Sequence, residues 1–266
     1  MGTIARTAVI TGAGSGIGRA TALELAANGV HVIAVGRRLH ALEETRDLSH
    51  GGPITCVSAD VSTEDGRAAI VEAAGPSVDF LVHGAAISPA CLIGDPGFRD
   101  SWNEVMRINL DSLMCVTLSL SDQLSGGGRV LFVGSNSASK PRRGGAAYCV
   151  SKAGGRMLYR CLKLELGDLG ILMTTAIPSP VYTDIVKHHI KSQDVFPDGA
   201  DYARQLAAGE MIAPETVGAF YRWLLLENSD TSYARDQWNI NHSAHHKDWL
   251  KGPLCMPPMD LDMAGD

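Results

Sequence analysis

A chain of 266 residues, 45% of them hydrophobic, can bury most of its apolar surface in one large domain or two small ones; a single domain is the expectation. Its formal net charge of −6, without a long basic run, argues against nucleic acid or a membrane surface as partner and leaves a small soluble ligand. No apolar run approaches a membrane span, and the opening "MGTIARTAVITGAGSG" lacks the basic and apolar regions of a secretory leader, so a cytoplasmic protein is expected.

Short β-branched runs alternate with segments rich in Ala, Leu, Glu and Arg, the pattern of a parallel sheet covered by helices on both faces. "TAVIT" leads through a glycine loop to a helix from Gly16, and "VHVIAV" to a helix in "LHALEETRDL". "ITCVSA" precedes "TEDGRAAIVEAA"; "VDFLVHGAA" precedes one long helix through "SWNEVMRINLDSLMCVTLSL"; "RVLFVGS" precedes a helix carrying Tyr148, and "GILMTTAI" is the sixth strand. No linker interrupts these crossovers, so residues 1–245 read as one α/β domain. Residues 179–212 interrupt the rhythm before the helix "PETVGAFYRWLLLEN", where a mobile lid over a site would sit. Residues 246–266 hold three prolines and no apolar period, and predict an extended or frayed tail.

Six cysteines, Cys56, Cys91, Cys115, Cys149, Cys161 and Cys255, lack Cys-x-x-Cys spacing and read as reduced thiols, neither zinc ligands nor disulfides. His242, His245 and His246 have no acid or cysteine close by and read as a surface turn, so no metal site is expected.

Three constellations carry chemistry. "TGAGSGIG", residues 11–18, lies between an apolar strand and a helix, where glycines let the backbone N–H groups of a helix N-terminus approach a pyrophosphate. At the end of the second strand, Gly36 stands where a fold preferring NAD places an acid. Arg37 and Arg38 follow, suited to a 2′-phosphate, which points to NADP(H), with NAD(H) the alternative. In "AAYCVSKAG", Tyr148 and Lys152 are four apart and neighbours on a helix face. An ammonium there would lower the phenol pKa toward neutrality, letting the tyrosine trade protons with a substrate.

Taken in order, these motifs resemble the short-chain dehydrogenase/reductase family over residues 5–242. The resemblance implies a Rossmann-type, doubly wound parallel β-sheet with helices on both faces, binding a nicotinamide dinucleotide. It matches Thr11, Gly12, Gly16 and Gly18 to the glycine motif, with Ser15 and Ile17 between them, and Asp60 and Val61 to an adenine-contacting pair. The family's catalytic Asn, Ser, Tyr and Lys fall on Asn109, Ser135, Tyr148 and Lys152. "PSPVYT" matches the element at the nicotinamide end through Pro178, Val181 and Thr183. By resemblance Tyr148 is the acid/base, Lys152 tunes it and holds the ribose, Ser135 orients the substrate oxygen, and Asn109 holds a water. A homo-oligomer, tetramer or dimer, is implied in the same way.

Four places depart from the family pattern: "HGAA" for NNAG, with His83 read as a buried structural histidine; Gly134 for a serine; Ser179 for a glycine; and "QWNINHSAHH" for a strand ending in VDGG. Lys140, Arg142 and Arg143 lie between Ser135 and Tyr148, where they form either a solvated turn or an anchor for an anionic substrate. Cys91, Cys149 and Met173 are candidate pocket supports, and His188, His189 and Tyr202 candidate lid contacts. The expected activity is NADP(H)-preferring interconversion of a secondary alcohol and a ketone on a small polar molecule. Alternatives are an NAD(H)-dependent sugar or cyclitol dehydrogenase, a 3-oxoacyl-carrier reductase, and a dinucleotide-binding regulator without turnover.

Overall fold

The computed structural model describes residues 6–259. Its first half alternates strand and helix: β1 (Thr7–Thr11), α1 (Gly16–Ala27), β2 (His31–Gly36), α2 (Leu39–Leu48), β3 (Ile54–Ser58), α3 (Glu64–Ala74) and β4 (Phe80–His83). Helices α4 (Phe98–Met106), α5 (Ser112–Ser119) and α6 (Ser121–Leu124) lead to β5 (Arg129–Val133), α7 (Ala146–Glu165) and β6 (Leu172–Ile177). Then come α8 (Asp184–Lys191), α9 (Asp198–Ala207), α10 (Pro214–Leu226), α11 (Asp230–Tyr233), β7 (Gln237–Asn239) and α12 (His246–Trp249).

All the strand pairings are parallel, in the order β3-β2-β1-β4-β5-β6-β7. The winding direction reverses between β1 and β4, and that switch point opens a crevice beyond the strand C-termini, the place where such sheets bind ligands. Strand alternation builds a core on each face. Ala8 and Ile10 of β1 pack under Leu25, Phe220, Trp223 and Trp238, whereas Val9 joins Ile33, Leu81, Val130, Tyr159 and Met173 on the other side. Burial on both faces explains why the strands read as unbroken apolar runs.

Helix α7 buries Ala147, Ser151, Gly155, Tyr159 and Leu162, a stripe at helical spacing. Tyr148 and Lys152 follow one residue behind it, on the edge that meets the crevice.

Three expectations are corrected: the single long helix, the extended tail and the surface placement of His245. The single helix predicted through residues 101–120 is α4 and α5 joined by a π turn, Arg107–Asp111, which takes up an extra residue and leaves Asn109 buried. The predicted mobile lid is built of α8 and α9. Its ends are closed by a bridge between Val181 and Ile212, and its underside by Val186, Leu206 and Met211 with Tyr182, Ile190 and Tyr202. The tail, as far as Met259, is packed. Trp249 is buried and donates to His245 Nδ1 at 2.8 Å. The Met256 and Met259 backbones then donate to the carbonyls of Met211 and Leu206, and their side chains join the lid cluster. An aromatic anchor and two thioethers supply the burial that a prolines-and-polar reading misses. Residues 260–266 lie outside the described residues. His245, read as part of a surface turn, is buried against Phe220 and donates from Nε2 to the Asn239 carbonyl at 3.0 Å.

Candidate active site

The crevice holds a main cleft of about 480 Å³ and, beyond the glycine loop, a second lobe of about 180 Å³. Gly12, Ser15, Gly16, Ile17 and Gly18 line the main cleft at the start of α1. Ser15 caps that helix with no side-chain bond, so the first-turn N–H groups are left for a ligand. Gly12 sits at φ +72°, and a Cβ there would lie 2.8 Å from the backbone of Gly84 and Ala85. Thr11 ties the same two loops together, its Oγ1 accepting from the Gly84 and Ala85 N–H groups at 3.2 Å. The "HGAA" departure therefore keeps what this crossing needs, a backbone without bulk.

Arg37, Arg38, Asp60 and Val61 line the smaller lobe with Gly36, Ala41 and Leu42. Arg37 is exposed, 3.8 Å from Glu104. Burial would raise the Asp60 carboxyl, but hydrogen bonds from the Ser62 N–H and hydroxyl, with Arg37 and Arg107 nearby, outweigh it and hold the group below its ordinary range. A tight backbone cradle, a helix N-terminus and a second lobe with two guanidiniums at its rim fit a dinucleotide.

Ser135, Tyr148 and Lys152 share the wall where β5 ends. Ser135 Oγ accepts from the Ser137 N–H at 3.1 Å, fixing the 3₁₀ turn Asn136–Ala138. Lys152 donates to the Val133 carbonyl at 3.0 Å, with its Nζ 5.5 Å from the Tyr148 ring centre. The expectation that Lys152 pulls the Tyr148 phenol toward neutrality is corrected. Burial pushes Tyr148 up to about 12, with the Ser135 hydroxyl pulling the other way, and burial brings Lys152 down to about 8. The ammonium is engaged with a carbonyl, and desolvation dominates both groups.

Asn109 does not line the cleft. Its Oδ1 accepts from the Ile87 N–H at 2.9 Å, and its Nδ2 donates to the Ile87 carbonyl at 2.8 Å and to Ser151 Oγ at 3.2 Å, pinning the loop after β4 to α7. Pro178, Val181 and Thr183 line the cleft from β6 onward. Ser179 takes the left-handed φ of +65° that the family's glycine would favour, and its Oγ accepts from Asn241 Nδ2 at 2.6 Å. At Gly134, a Cβ would lie 2.9 Å from Thr175 Oγ1 and 3.1 Å from Ile177 Cγ1, so neighbouring side chains occupy the space of the missing serine. His83 faces away from the cleft. It is buried, donates from Nε2 to Thr117 Oγ1 at 2.9 Å and stacks on Phe132, and burial holds its ring down at about 3.

Of the three cations before Tyr148, only Arg142 reaches the cleft; Lys140 and Arg143 are exposed outside it. Arg142 is paired with Asp198 of α9 and donates from Nε to Ser137 Oγ at 3.1 Å. His189 and Tyr202 line the main cleft, whereas His188, Cys91, Cys149 and Met173 do not. Met173 is entirely within the core. Phe196, Ile87, Ser137 and Val186 also line it and were missed; a lone aromatic between two amphipathic lid helices, in "DVFPDG", was the available signal for Phe196.

A family model described as short chain dehydrogenase matches residues 6–194. The chain belongs to the short-chain dehydrogenase family. This short-chain dehydrogenase is 32% identical over 188 residues to the 2,3-dihydro-2,3-dihydroxybenzoate dehydrogenase of Bacillus subtilis, covering 68% of this chain and 71% of that one. It is 30% identical over 188 residues to the L-xylulose reductase of Mesocricetus auratus, covering 70% and 75%. A solved variant of actinorhodin polyketide ketoreductase with NADPH superposes with a TM-score of 0.76 at 25% identity, covering 88% of this chain and 95% of that one.

Proposed function

We propose that this short-chain dehydrogenase is an NADP(H)-preferring oxidoreductase that interconverts a secondary alcohol and a ketone on a small polar molecule, with Tyr148 as acid/base. The observation that carries the reading is the placement of Tyr148, Ser135 and Lys152 on one wall of a cleft that runs on into the glycine loop. The dinucleotide, when bound, accepts or supplies the hydride. In the oxidising direction the carbinol carbon loses that hydride and its oxygen passes its proton to Tyr148; in reduction the Tyr148 phenol protonates the nascent alkoxide. Ser135 orients the reacting oxygen with a dipole fixed by the turn that it caps. Lys152 holds a positive charge beside the phenol ring, and Asn109 keeps the loop and α7 in register.

The preference for NADP(H) rests on Gly36, which ends β2 without a carboxylate, and on Arg37 and Arg38 at the rim of the smaller lobe. We read the enzyme as a cytoplasmic homo-oligomer: six free thiols suit a reducing compartment, and Met114, Leu118, Val150 and Met157 expose apolar side chains on α5 and α7. The test is initial-rate reduction of a panel of ketones with NADPH by the wild type and Tyr148→Phe. Turnover is lost in the variant while NADPH binding is kept; turnover retained in the variant overturns the assignment.

A further inference from the structure

The end of the main cleft bounded by the lid helices α8 and α9, here the substrate lobe, has an unusual charge inventory. It is walled by Ile87, Val186, Phe196, Tyr202, His189 and Arg142. His189 stacks on Phe196 with ring centres 4.0 Å apart and donates from Nε2 to the Ser88 carbonyl at 3.0 Å. Burial takes its ring down to about 4, so it is uncharged at neutral pH. Lys152 stands beside the Tyr148 ring with its Nζ given to the Val133 carbonyl, and Asp184 stands exposed at the mouth. That leaves Arg142, whose side chain is 12% exposed, against Asp198 at 28%. Its guanidinium is paired with that carboxylate, bonded to Ser137 and laid 5.7 Å over the Tyr202 ring. An anion approaching Arg142 also approaches Asp198, so the attraction of one charge is offset by the repulsion of the other, in surroundings that screen both weakly.

We propose that the substrate lobe selects a small, polar but uncharged ketone or carbinol with one flat apolar face, and that the Arg142–Asp198 pair is the specificity device that rejects carboxylates and phosphates. The apolar face packs against Phe196, Val186 and Ile87, and Arg142 offers neutral oxygens its N–H groups without an uncompensated charge. This rests on the dehydrogenase reading of the same cleft and names its substrate class.

The test uses two ketones of nearly equal shape, 4-acetylbenzamide and 4-acetylbenzoate, titrated by calorimetry into the full-length enzyme with NADP⁺, and then assayed for turnover with NADPH. The affinity ratio tests this inference and turnover tests the dehydrogenase reading, so the two fail separately. The wild type is expected to bind the amide at least tenfold more tightly. Asp198→Asn should cut that ratio tenfold or reverse it by freeing Arg142, while Asp198→Glu, which keeps the charge, restores the amide preference and so excludes a loosened lid as the cause. A wild type that binds the carboxylate as tightly, a ratio unmoved by Asp198→Asn, or failure to bind either ketone overturns the proposal.

Discussion

The phenol of Tyr148 gives the sharpest expectation, because with Tyr148 as the proposed acid/base its pKa, pushed up to about 12, sets how the two directions of reaction respond to pH. At pH 7 only about one molecule in 10⁵ carries the phenolate that alcohol oxidation needs, and each unit of pH raises that fraction about tenfold. The initial rate of oxidation should therefore climb with a slope near one on logarithmic axes from pH 6 to 8. It should bend above that, where Lys152, brought to about 8 by burial, loses its charge beside the ring. Ketone reduction draws on the protonated phenol and should be flat over the same range. Tyr148→Phe removes one oxygen and leaves the ring, so no sizeable cavity opens. Both directions should slow by roughly 10²- to 10⁴-fold, the usual worth of a positioned proton donor, and the oxidation slope should vanish. Initial rates in both directions over pH 6–10, with NADPH affinity as the folding control, decide the matter. An oxidation rate indifferent to pH, or a variant that keeps more than a tenth of wild-type activity, would refute the reasoning.

Other expectations follow from single features. Gly12→Ala puts a Cβ 2.8 Å from the Gly84 and Ala85 backbone at a left-handed φ, and should cost about 2–4 kcal/mol from strain and overpacking together, read as a lowered urea midpoint with lost dinucleotide binding; an unchanged midpoint would show that the two loops separate freely. Arg37→Ala should weaken NADPH by roughly 10- to 100-fold and NADH much less, through loss of a charge-assisted bond to the 2′-phosphate, and equal weakening by fluorescence titration removes the phosphate clamp. His83 and His189 are held neutral by burial, at about 3 and about 4. From their ordinary 6.5, the unfolded rings take up protons that the folded rings refuse, so stability is full above pH 6.5 and is lost as pH falls toward the folded values. At pH 5 the loss is about 2 kcal/mol for each ring; equal urea midpoints at pH 5 and pH 7.5 would contradict it.

What could be read without coordinates was local. The run "VHVIAV" is apolar throughout because a parallel strand is buried on both faces, and "TGAGSGIG" sits where the first strand meets its helix, so both declare themselves within a few residues. Tyr148 and Lys152 were legible for the same reason, being one helical turn apart. The electrostatics between them were not, because the Val133 carbonyl that takes the ammonium lies on another element. Arg142 and Asp198 are 56 positions apart, and their pairing, which turns a candidate anion anchor into a neutral wall, depends on where α9 docks. The π turn that buries Asn109 follows from its bonds to Ile87, 22 residues away, and leaves no mark on the apolar period.

The seating of the lid by Met256 and Met259 has a consequence for how the protein is made. Synthesis completes β1 to β6 and the glycine loop before α8 emerges. Ile212 must then follow to bridge Val181, and Met256 and Met259 to bond Met211 and Leu206. The dinucleotide half of the cleft can thus take shape on the ribosome while the substrate half stays unfinished until residue 259 is out. A chain cut short after Leu250 keeps Trp249 in the core under its sheet, keeps its glycine loop, and loses the backing of the wall proposed to choose the substrate.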